Sequence, residues 1–373
     1  MDDNSIFHEE WVILKKFLPS DWQNKASELG ALTRKRKIDN AETLLRILLI
    51  YLAEGKSFRT TSAYAQEAGL CNINDTSLMK RLRLSKDWFH WIAEELLKRL
   101  NRHPLPVPAF KKFNVRLVDG SVVNEPGETG SSWRIHYSLR LSDLHCDTFR
   151  ITPPQTGESF QCYPVTKGDL LIGDRYYCRR KGIAYVLRNQ GHVLVRFHSV
   201  SLPLFDRRGK KISVLSLLRS LPDGEVGDWD VWFKDPDTDK LIKGRLCALR
   251  KSKEAKEIAQ KKLRRYASKK SVKLRTETLE YAEYFIQFTT LNRHSFKVEE
   301  LLDLYRSRWQ IELLFKRLKS ILGMGHLPTL NEDSSIAWLY GKMIVALLVE
   351  CLHQEAEFFS PWGYPIRPLI YHG

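Results

Sequence analysis

Residues Leu301–Leu322 read LLDLYRSRWQIELLFKRLKSIL, and the reading of the fold turns on this stretch. It has no Gly or Pro, its apolar residues recur at helical spacing, and Leu, Arg, Lys and Glu dominate it, so one continuous helix is expected. With Tyr305 at zero and about 100° per residue, Arg308, Glu312 and Lys319 fall at roughly −60°, −20° and −40°. All four therefore share one narrow stripe. Leu304, Ile311, Leu314, Phe315, Leu318 and Leu322 fill the arc on one side, and Arg306, Gln310, Lys316 and Arg317 the other. A stripe along the edge of a buried face presents polar groups into a cleft while the helix stays anchored in a core. One carboxylate flanked by two cations and a phenol suits a phosphate-bearing ligand held around a metal. The same pattern also suits a solvated face carrying an i,i+4 pair, Arg308 with Glu312. The helix alone leaves both readings open. Trp309 is expected to pack.

Composition narrows the partner. Across 373 residues, Lys and Arg outnumber Asp and Glu by 60 to 44, a net charge of +16 with a pI near 9.5. That surplus favours a polyanion, nucleic acid before an anionic membrane. The length suits two or three domains with a real core. The acidic start MDDNSIFHEEW does not read as a signal peptide. Leu44–Ala53 and Ile336–Leu352 are too short or too interrupted, by Arg46, Lys342 and Glu350, to be expected as membrane spans. Six scattered cysteines without CxxC or zinc spacing read as reduced cytosolic thiols. There is no Walker A loop, complete GxGxxG or GxSxG elbow.

Residues 5 to 100 read as helical, with amphipathic stretches at Phe7–Leu18 and Ala41–Leu52 around the basic run Arg34–Lys37. Ser57 is placed to cap a helix through Glu67. Ala68-Gly69-Leu70 makes a turn, and Asp75 or Thr76 caps a second helix carrying Lys80, Arg81 and Arg83. Helix, Gly turn and basic helix resemble a helix-turn-helix, and plain helical packing explains the pattern equally. Arg99–Pro108, with alternating prolines, reads as an extended linker.

After Phe110 the pattern turns β-rich. Phe113–Val123, Trp133–Leu141 and Leu144–Thr152 are expected as an antiparallel meander. A short helix over Phe160–Val165 follows, then a buried strand Asp169–Gly173, a helix Cys178–Asn189 and a strand His192–Ser199. That is α/β order with a mixed sheet. Asp119 sits on the first strand and Asp174 leaves the buried one. Ligands collect at the ends of neighbouring inner strands, so these carboxylates can converge. With Glu312 they supply the hard oxygen donors that two Mg²⁺ ions require. Each aspartate alone is more often a turn or cap residue, and the constellation carries the reading.

These residues together resemble the DDE transposases of bacterial insertion sequences, in the class marked by a Tyr-(2)-Arg-(3)-Glu-(6)-Lys helix. Tyr305, Arg308, Glu312 and Lys319 match with every gap intact. By average residue usage such a match arises by chance in on the order of one chain in several hundred. Leu117-Val118-Asp119-Gly120-Ser121 resembles the family's first-aspartate strand, and Leu171-Ile172-Gly173-Asp174-Arg175 its second. The resemblance spans about Phe110 to Leu322, with a family-like helical region before it.

The resemblance implies a ribonuclease H-like catalytic core with a β-rich insertion and an N-terminal helical DNA-binding domain. The corresponding boundaries are 1–109 for the helical domain, 110–200 for the first part of the core, 201–280 for the insertion with its basic stretch, and 281–373 for the rest of the core and a closing helix. It implies metal-dependent cleavage and strand transfer, with Asp119, Asp174 and Glu312 as catalytic and metal-binding residues. Two Mg²⁺ ions, replaceable by Mn²⁺, are the expected cofactors, and Tyr305, Arg308 and Lys319 the DNA contacts. The expected partners are double-stranded DNA, both terminal inverted repeats and target, and a second copy of the chain, with no membrane. The expected location is the bacterial cytoplasm, at the nucleoid. Trp229 and Trp232 in the insertion could hold a flipped base, as in some relatives, but core packing is the expectation. A non-catalytic DNA-binding descendant and a metal-dependent nuclease are the alternatives. The three intact carboxylates weigh against the first, and the insertion with Tyr305, Arg308 and Lys319 against the second.

Overall fold

The computed structural model of the protein describes residues 11–100, 110–127, 132–153, 155–320 and 322–358. The expected proline linker lies mostly outside these residues, and the tail Ser360–Gly373 wholly so. Of the expected helix Phe7–Leu18, residues 11–15 are helical and the part before them lies outside the described residues.

Five helices precede the sheet: α1 (Trp22–Glu28), α2 (Ala41–Glu54), α3 (Phe58–Glu67), α4 (Asp75–Leu84) and α5 (Lys86–Leu100). Local chemistry sets their starts. The Asn40 side chain accepts the Thr43 amide at 2.7 Å, and Ser57 accepts that of Thr60 at 3.1 Å, each satisfying a first-turn donor. The turn between α3 and α4 uses Gly69 at φ +65°, a conformation that favours glycine. The cap of α4 is Asn74, whose side chain accepts the Ser77 amide at 2.9 Å, rather than Asp75 or Thr76. Asn74 keeps an extended backbone while Asp75 already has helical geometry, so only Asn74 can reach back to the third amide. Two of the three basic residues of α4 are used internally. Arg81 donates to the carbonyls of Ala31 and Arg34, and Arg83 pairs with Asp333 at 3.4 Å. Lys80 is exposed.

The sheet has eight strands in the order β3-β2-β1-β4-β5-β8-β7-β6. β1 (Asn114–Asn124), β2 (Ser132–Arg140) and β3 (Cys146–Thr152) form the expected antiparallel meander. β4 (Asp169–Gly173) lies parallel to β1 and to β5 (His192–Arg196). Every residue of β4 is buried: Leu170–Ile172 as an apolar run at the centre of a covered sheet, and Asp169 in an ion pair with Arg116. The connections are a 3-10 turn at Phe160–Cys162, another at Arg175–Tyr177, and helix α6 (Arg180–Arg188).

Residues after β5 form a short helix α7 (Val214–Leu218) and the hairpin β6 (Val226–Lys234) and β7 (Leu241–Arg250). The helix α8 (Lys253–Lys269) then carries the basic stretch, followed by α9 (Thr276–Tyr281). β8 (Tyr284–Thr289) pairs antiparallel with both β5 and β7, so the hairpin extends the same sheet. Trp229 and Trp232 are half-buried on β6, where Lys243 lies over the Trp232 ring.

Alternating strand residues feed two hydrophobic clusters. Leu170, Ile172 and Leu194 join the helical N-terminal region, while Leu171, Val193 and Val195 join α6, α7 and β6 to β8. The sheet is thus covered on both faces.

The expected single helix over Leu301–Leu322 is instead two, α10 (Val298–Arg306) and α11 (Trp309–Ser320). Between them the amides of Ser307, Arg308, Gln310 and Ile311 bond to carbonyls three residues back, at 3.0–3.2 Å. The Ser307 hydroxyl also donates to the Leu304 carbonyl at 2.6 Å. These tighter bonds replace the α-helical ladder for one turn, a competition in which serine takes part readily. The buried arc survives: Leu304, Ile311, Phe315 and Leu318 are buried, and Leu314 and Leu322 pack against the core. Trp309 does not pack. At 53% exposure it opens α11 on the solvent side of the turn.

The closing helix α12 (Glu332–Phe358) lies against α2, α4 and α5. By length and composition alone Glu332–Leu352 is long and apolar enough to cross a membrane. Two thirds of it is buried inside the protein, as in a core helix.

Candidate active site

The first carboxylate comes from β1. Four buried residues of that strand, Val115–Val118, precede Asp119, which emerges half-buried, and Asp119 Oδ1 accepts the Gly120 amide at 2.9 Å. Its backbone carbonyl accepts the Tyr163 hydroxyl at 2.8 Å, and Tyr163 and Tyr177 share a 2.9 Å hydrogen bond beneath it. Both tyrosines are almost fully buried, so this pair holds the strand end in place. Burial pushes the Asp119 carboxyl up to about 7, and the charges of Asp174 and Glu158 add to it. Arg308 and the Gly120 amide act in the opposite direction.

Asp174 leaves β4 beside it. The parallel register pairs Leu117 with Ile172, so both aspartates stand two residues past the last paired position, at the same sheet edge. Asp174 Oδ1 accepts the Tyr176 amide at 2.8 Å and caps the 3-10 turn. The turn role and the site role, alternatives in the sequence, coexist in this residue.

Arg308, on the turn between α10 and α11, links the third acid to the first. Its Nη1 lies 3.6 Å from Asp119 Oδ2, and its Nη2 bonds Glu312 one turn along. The Glu312 side chain is 57% exposed. Burial opposes the charge of Arg308, but Tyr305, Asp119, Glu312 and Asp174 around it hold its pKa above the usual value. Tyr305 is buried with its ring edge-on to Phe285 at 5.6 Å, and burial pushes its hydroxyl up to about 12. It is therefore a proton donor at any working pH. Lys319 stands two turns beyond Glu312, exposed and without an ion pair among the described residues.

A fourth carboxylate, Glu158, was not anticipated. Its side chain lies over Gly120, where an added Cβ would meet Glu158 Cγ at 2.7 Å. Burial raises its pKa, with Asp174 adding, while Arg134 (4.0 Å away) and Arg179 oppose. Glu158 precedes a short 3-10 turn in a Gly/Ser stretch, and no spacing rule ties it to Asp119. The glycine after Asp119 was the only trace.

Among the described residues no three acidic, histidine or cysteine side chains stand arranged around one metal position. Arg308 fills the space between Asp119 and Glu312. The donors nonetheless suit a hard divalent cation: all are carboxylate oxygens, and Asp119 and Asp174 leave neighbouring parallel strands at the same sheet edge.

Residues 148–348 match the Transposase DDE domain family, a span that contains Asp174 and Glu312 and begins after Asp119. The InsL protein of insertion sequence element IS186A from Escherichia coli K12 is 29% identical over 360 residues, covering 95% of this chain and 96% of its own length. The transposase for insertion sequence element IS421, also of Escherichia coli, is 29% identical over 361 residues with the same coverage. The transposase for IS231F of Bacillus thuringiensis subsp. israelensis is 26% identical over 252 residues, covering 60% of this chain and 51% of its own length. With more than half of its residues inside the family match, this chain belongs to the DDE transposases of insertion sequences.

Proposed function

We propose that Asp119, Asp174 and Glu312 are the catalytic triad of this transposase and that Tyr305, Arg308, Glu312 and Lys319 form the Tyr-(2)-Arg-(3)-Glu-(6)-Lys motif of one transposase class. The observation that carries the reading is Arg308, which reaches Asp119 from the same turn that leads into Glu312 and so brings β1 and α11 to one site. The strand order β3-β2-β1-β4-β5, with β1, β4 and β5 parallel, supports a ribonuclease H-like core over 110–200 and 281–373. The hairpin β6–β7 with α8 is the insertion over 201–280, and residues 1–109 are the DNA-binding region. Two copies of the chain bring two transposon ends together.

The three carboxylates would hold two divalent ions, Mg²⁺ or Mn²⁺, which when bound activate a water or 3′-hydroxyl and stabilise the leaving oxygen of a phosphodiester. Tyr305 donates its hydrogen bond to a phosphate. Arg308 exchanges its carboxylates for DNA phosphate as the site fills, a charge-assisted contact in either state. Lys319, without an ion pair among the described residues, takes a neighbouring phosphate.

The test is cleavage and joining of DNA carrying the inverted repeats that flank this gene, with Mg²⁺ or Mn²⁺, for wild type and Glu312→Gln. Nicks at the repeat boundary followed by joined products are expected. They should fall by several powers of ten in the variant, at about 1.4 kcal/mol each, with end binding nearly intact. Equal activity of the two proteins would remove Glu312 from the site. Nicking without joining would make the protein a nuclease.

A further inference from the structure

The loop that carries Glu158 is fixed by the group that fixes the end of β1. Phe160, two residues on, is fully buried with its ring 5.1 Å from that of Tyr177. Tyr177 bonds Tyr163, whose hydroxyl holds the Asp119 carbonyl. Ser159 accepts the Gln161 amide at 3.2 Å and caps the 3-10 turn. Helix α6 packs closely against this loop: a Cβ on Gly182 would meet the Phe160 amide and the Ser159 hydroxyl at 3.4 Å. Asp119 and Glu158 are thus placed by one packed unit, which is how a site is held ready for a ligand.

Glu158 comes to the sheet edge over the face opposite Glu312. Side chains alternate along a strand, so Gly120 points to the same side as Val118, into the cluster that includes α6 and α7. Glu158 lies on that side of Gly120, with Cγ 2.7 Å and Oε1 3.0 Å from where a Cβ would stand. Leu117 and Ile172 belong to the other cluster, and so do Ile311 and Phe315 of α11. By the same alternation Asp119 and Asp174 share that second face with Glu312. Acids therefore approach the ends of β1 and β4 from both faces, and Asp174 is near enough to act on Glu158 through its charge.

The protein serves this carboxylate poorly. Its side chain is only 19% exposed, and it accepts no hydrogen bond among the described residues. Arg134, its ion-pair partner, stands 4.0 Å away, and the Nε of that guanidinium is itself buried without a partner. Arg116, by contrast, meets Asp147 at 2.7 Å and Asp169 at 3.0 Å. A carboxylate withdrawn from water without hydrogen bonds costs free energy, and a loose pair beside a second anion does not offset it. A divalent cation would.

Resting on the reading of Asp119, Asp174 and Glu312 as metal-binding acids, we infer that Glu158 is a fourth acid of that site, supporting the ion at the two aspartates from the face opposite Glu312. Three carboxylates leave much of the shell of two octahedral ions to water, and an acid beside that shell orients a water or takes its place. Groups so placed govern metal affinity by roughly 10- to 100-fold.

The experiment measures Mn²⁺ binding to the full chain without DNA, counting free Mn²⁺ by electron paramagnetic resonance, for wild type, Glu158→Gln, Arg134→Gln and Asp174→Asn. Glu158→Gln keeps the shape and is expected to raise the Mn²⁺ dissociation constant about tenfold or more. Arg134→Gln separates this role from ion pairing. Loss of a competing cation should leave Mn²⁺ affinity equal or tighter, whereas a carboxylate that serves only to hold Arg134 makes the two variants behave alike. In urea the metal-free Glu158→Gln protein should match or exceed the wild type, since one of two neighbouring anions is gone. Mn²⁺ binding unchanged by Glu158→Gln but weakened by Asp174→Asn overturns this inference and leaves the three acids standing. A loss shared equally by Arg134→Gln does the same. Wild type and Asp174→Asn that bind Mn²⁺ alike overturn the carboxylate site, and this inference with it.

Discussion

Arg308 Nη1 lies 3.6 Å from Asp119 Oδ2, and the same guanidinium bonds Glu312, so one side chain spans two of the three proposed catalytic acids. Arg308 holds down the Asp119 pKa that burial raises. Its position depends on the turn at Ser307, since Arg308 belongs to neither helix and is aimed by the i→i−3 bonds on both sides of it.

Removing Arg308 should therefore raise the Asp119 pKa further. Carbon NMR of labelled aspartate in the metal-free Arg308→Ala protein is expected to show the titration midpoint moving upward. Cleavage at repeat ends should fall about 10- to 100-fold, less than for Glu312→Gln, because a contact is lost and the metal ligands remain. A midpoint that stays where it was would mean that Arg308 does not face Asp119 in solution.

Asp119 also sets a pH dependence. Its folded-state pKa of about 7 lies above the roughly 3.9 of an unfolded carboxyl, so the folded protein holds the proton more tightly. The stability this contributes is fully present below about pH 4 and is lost as pH rises through 7, at about 1.4 kcal/mol per pH unit at most. Metal-free protein should thus lose urea stability between pH 5 and pH 7.5, and Asp119→Asn should flatten that part of the profile. Divalent ions should bind more tightly as pH rises over the same window, because the carboxyl must lose its proton. Identical profiles for wild type and Asp119→Asn would place the titration elsewhere.

Arg116 supplies a stability prediction. It is buried on β1, with Asp147 at 2.7 Å on β3 and Asp169 at 3.0 Å on β4. Its Nη1 also donates to the Pro164 carbonyl at 2.7 Å. Arg116→Met leaves Asp169 buried without its partner and should cost about 3–5 kcal/mol in denaturant unfolding. A loss below about 1 kcal/mol would mean that the ion pairs barely offset their own desolvation.

Trp309 makes the opposite case. Since it is exposed, Trp309→Ala should change stability by no more than about 0.5 kcal/mol. A tryptophan in the core would cost several times that. Thermal unfolding of the single variant decides between them.

Order and type of the elements could be read from residues alone, because they depend on local patterns. The apolar run Leu170–Ile172 within Asp169–Gly173 announced a central strand, alternation announced β1 to β3, and the apolar arc of Leu301–Leu322 announced a buried helical face. The spacing of Tyr305, Arg308, Glu312 and Lys319 is a property of the chain, and with Asp119 and Asp174 it pointed to the transposase family. Tertiary structure decided what distant segments do to one another. Serine competes with the helical ladder only where its hydroxyl finds a carbonyl, so the break at Ser307 has no strong sequence mark. Trp309, expected to pack, faces solvent at the start of α11. Glu158 reaches the acids only because Gly120 leaves room for it. The coupling of Asp119 to Arg308 and Asp174 exists only once β1, β4 and the α10–α11 turn share one edge of the sheet, since burial and Coulomb forces depend on distance in space and not along the chain.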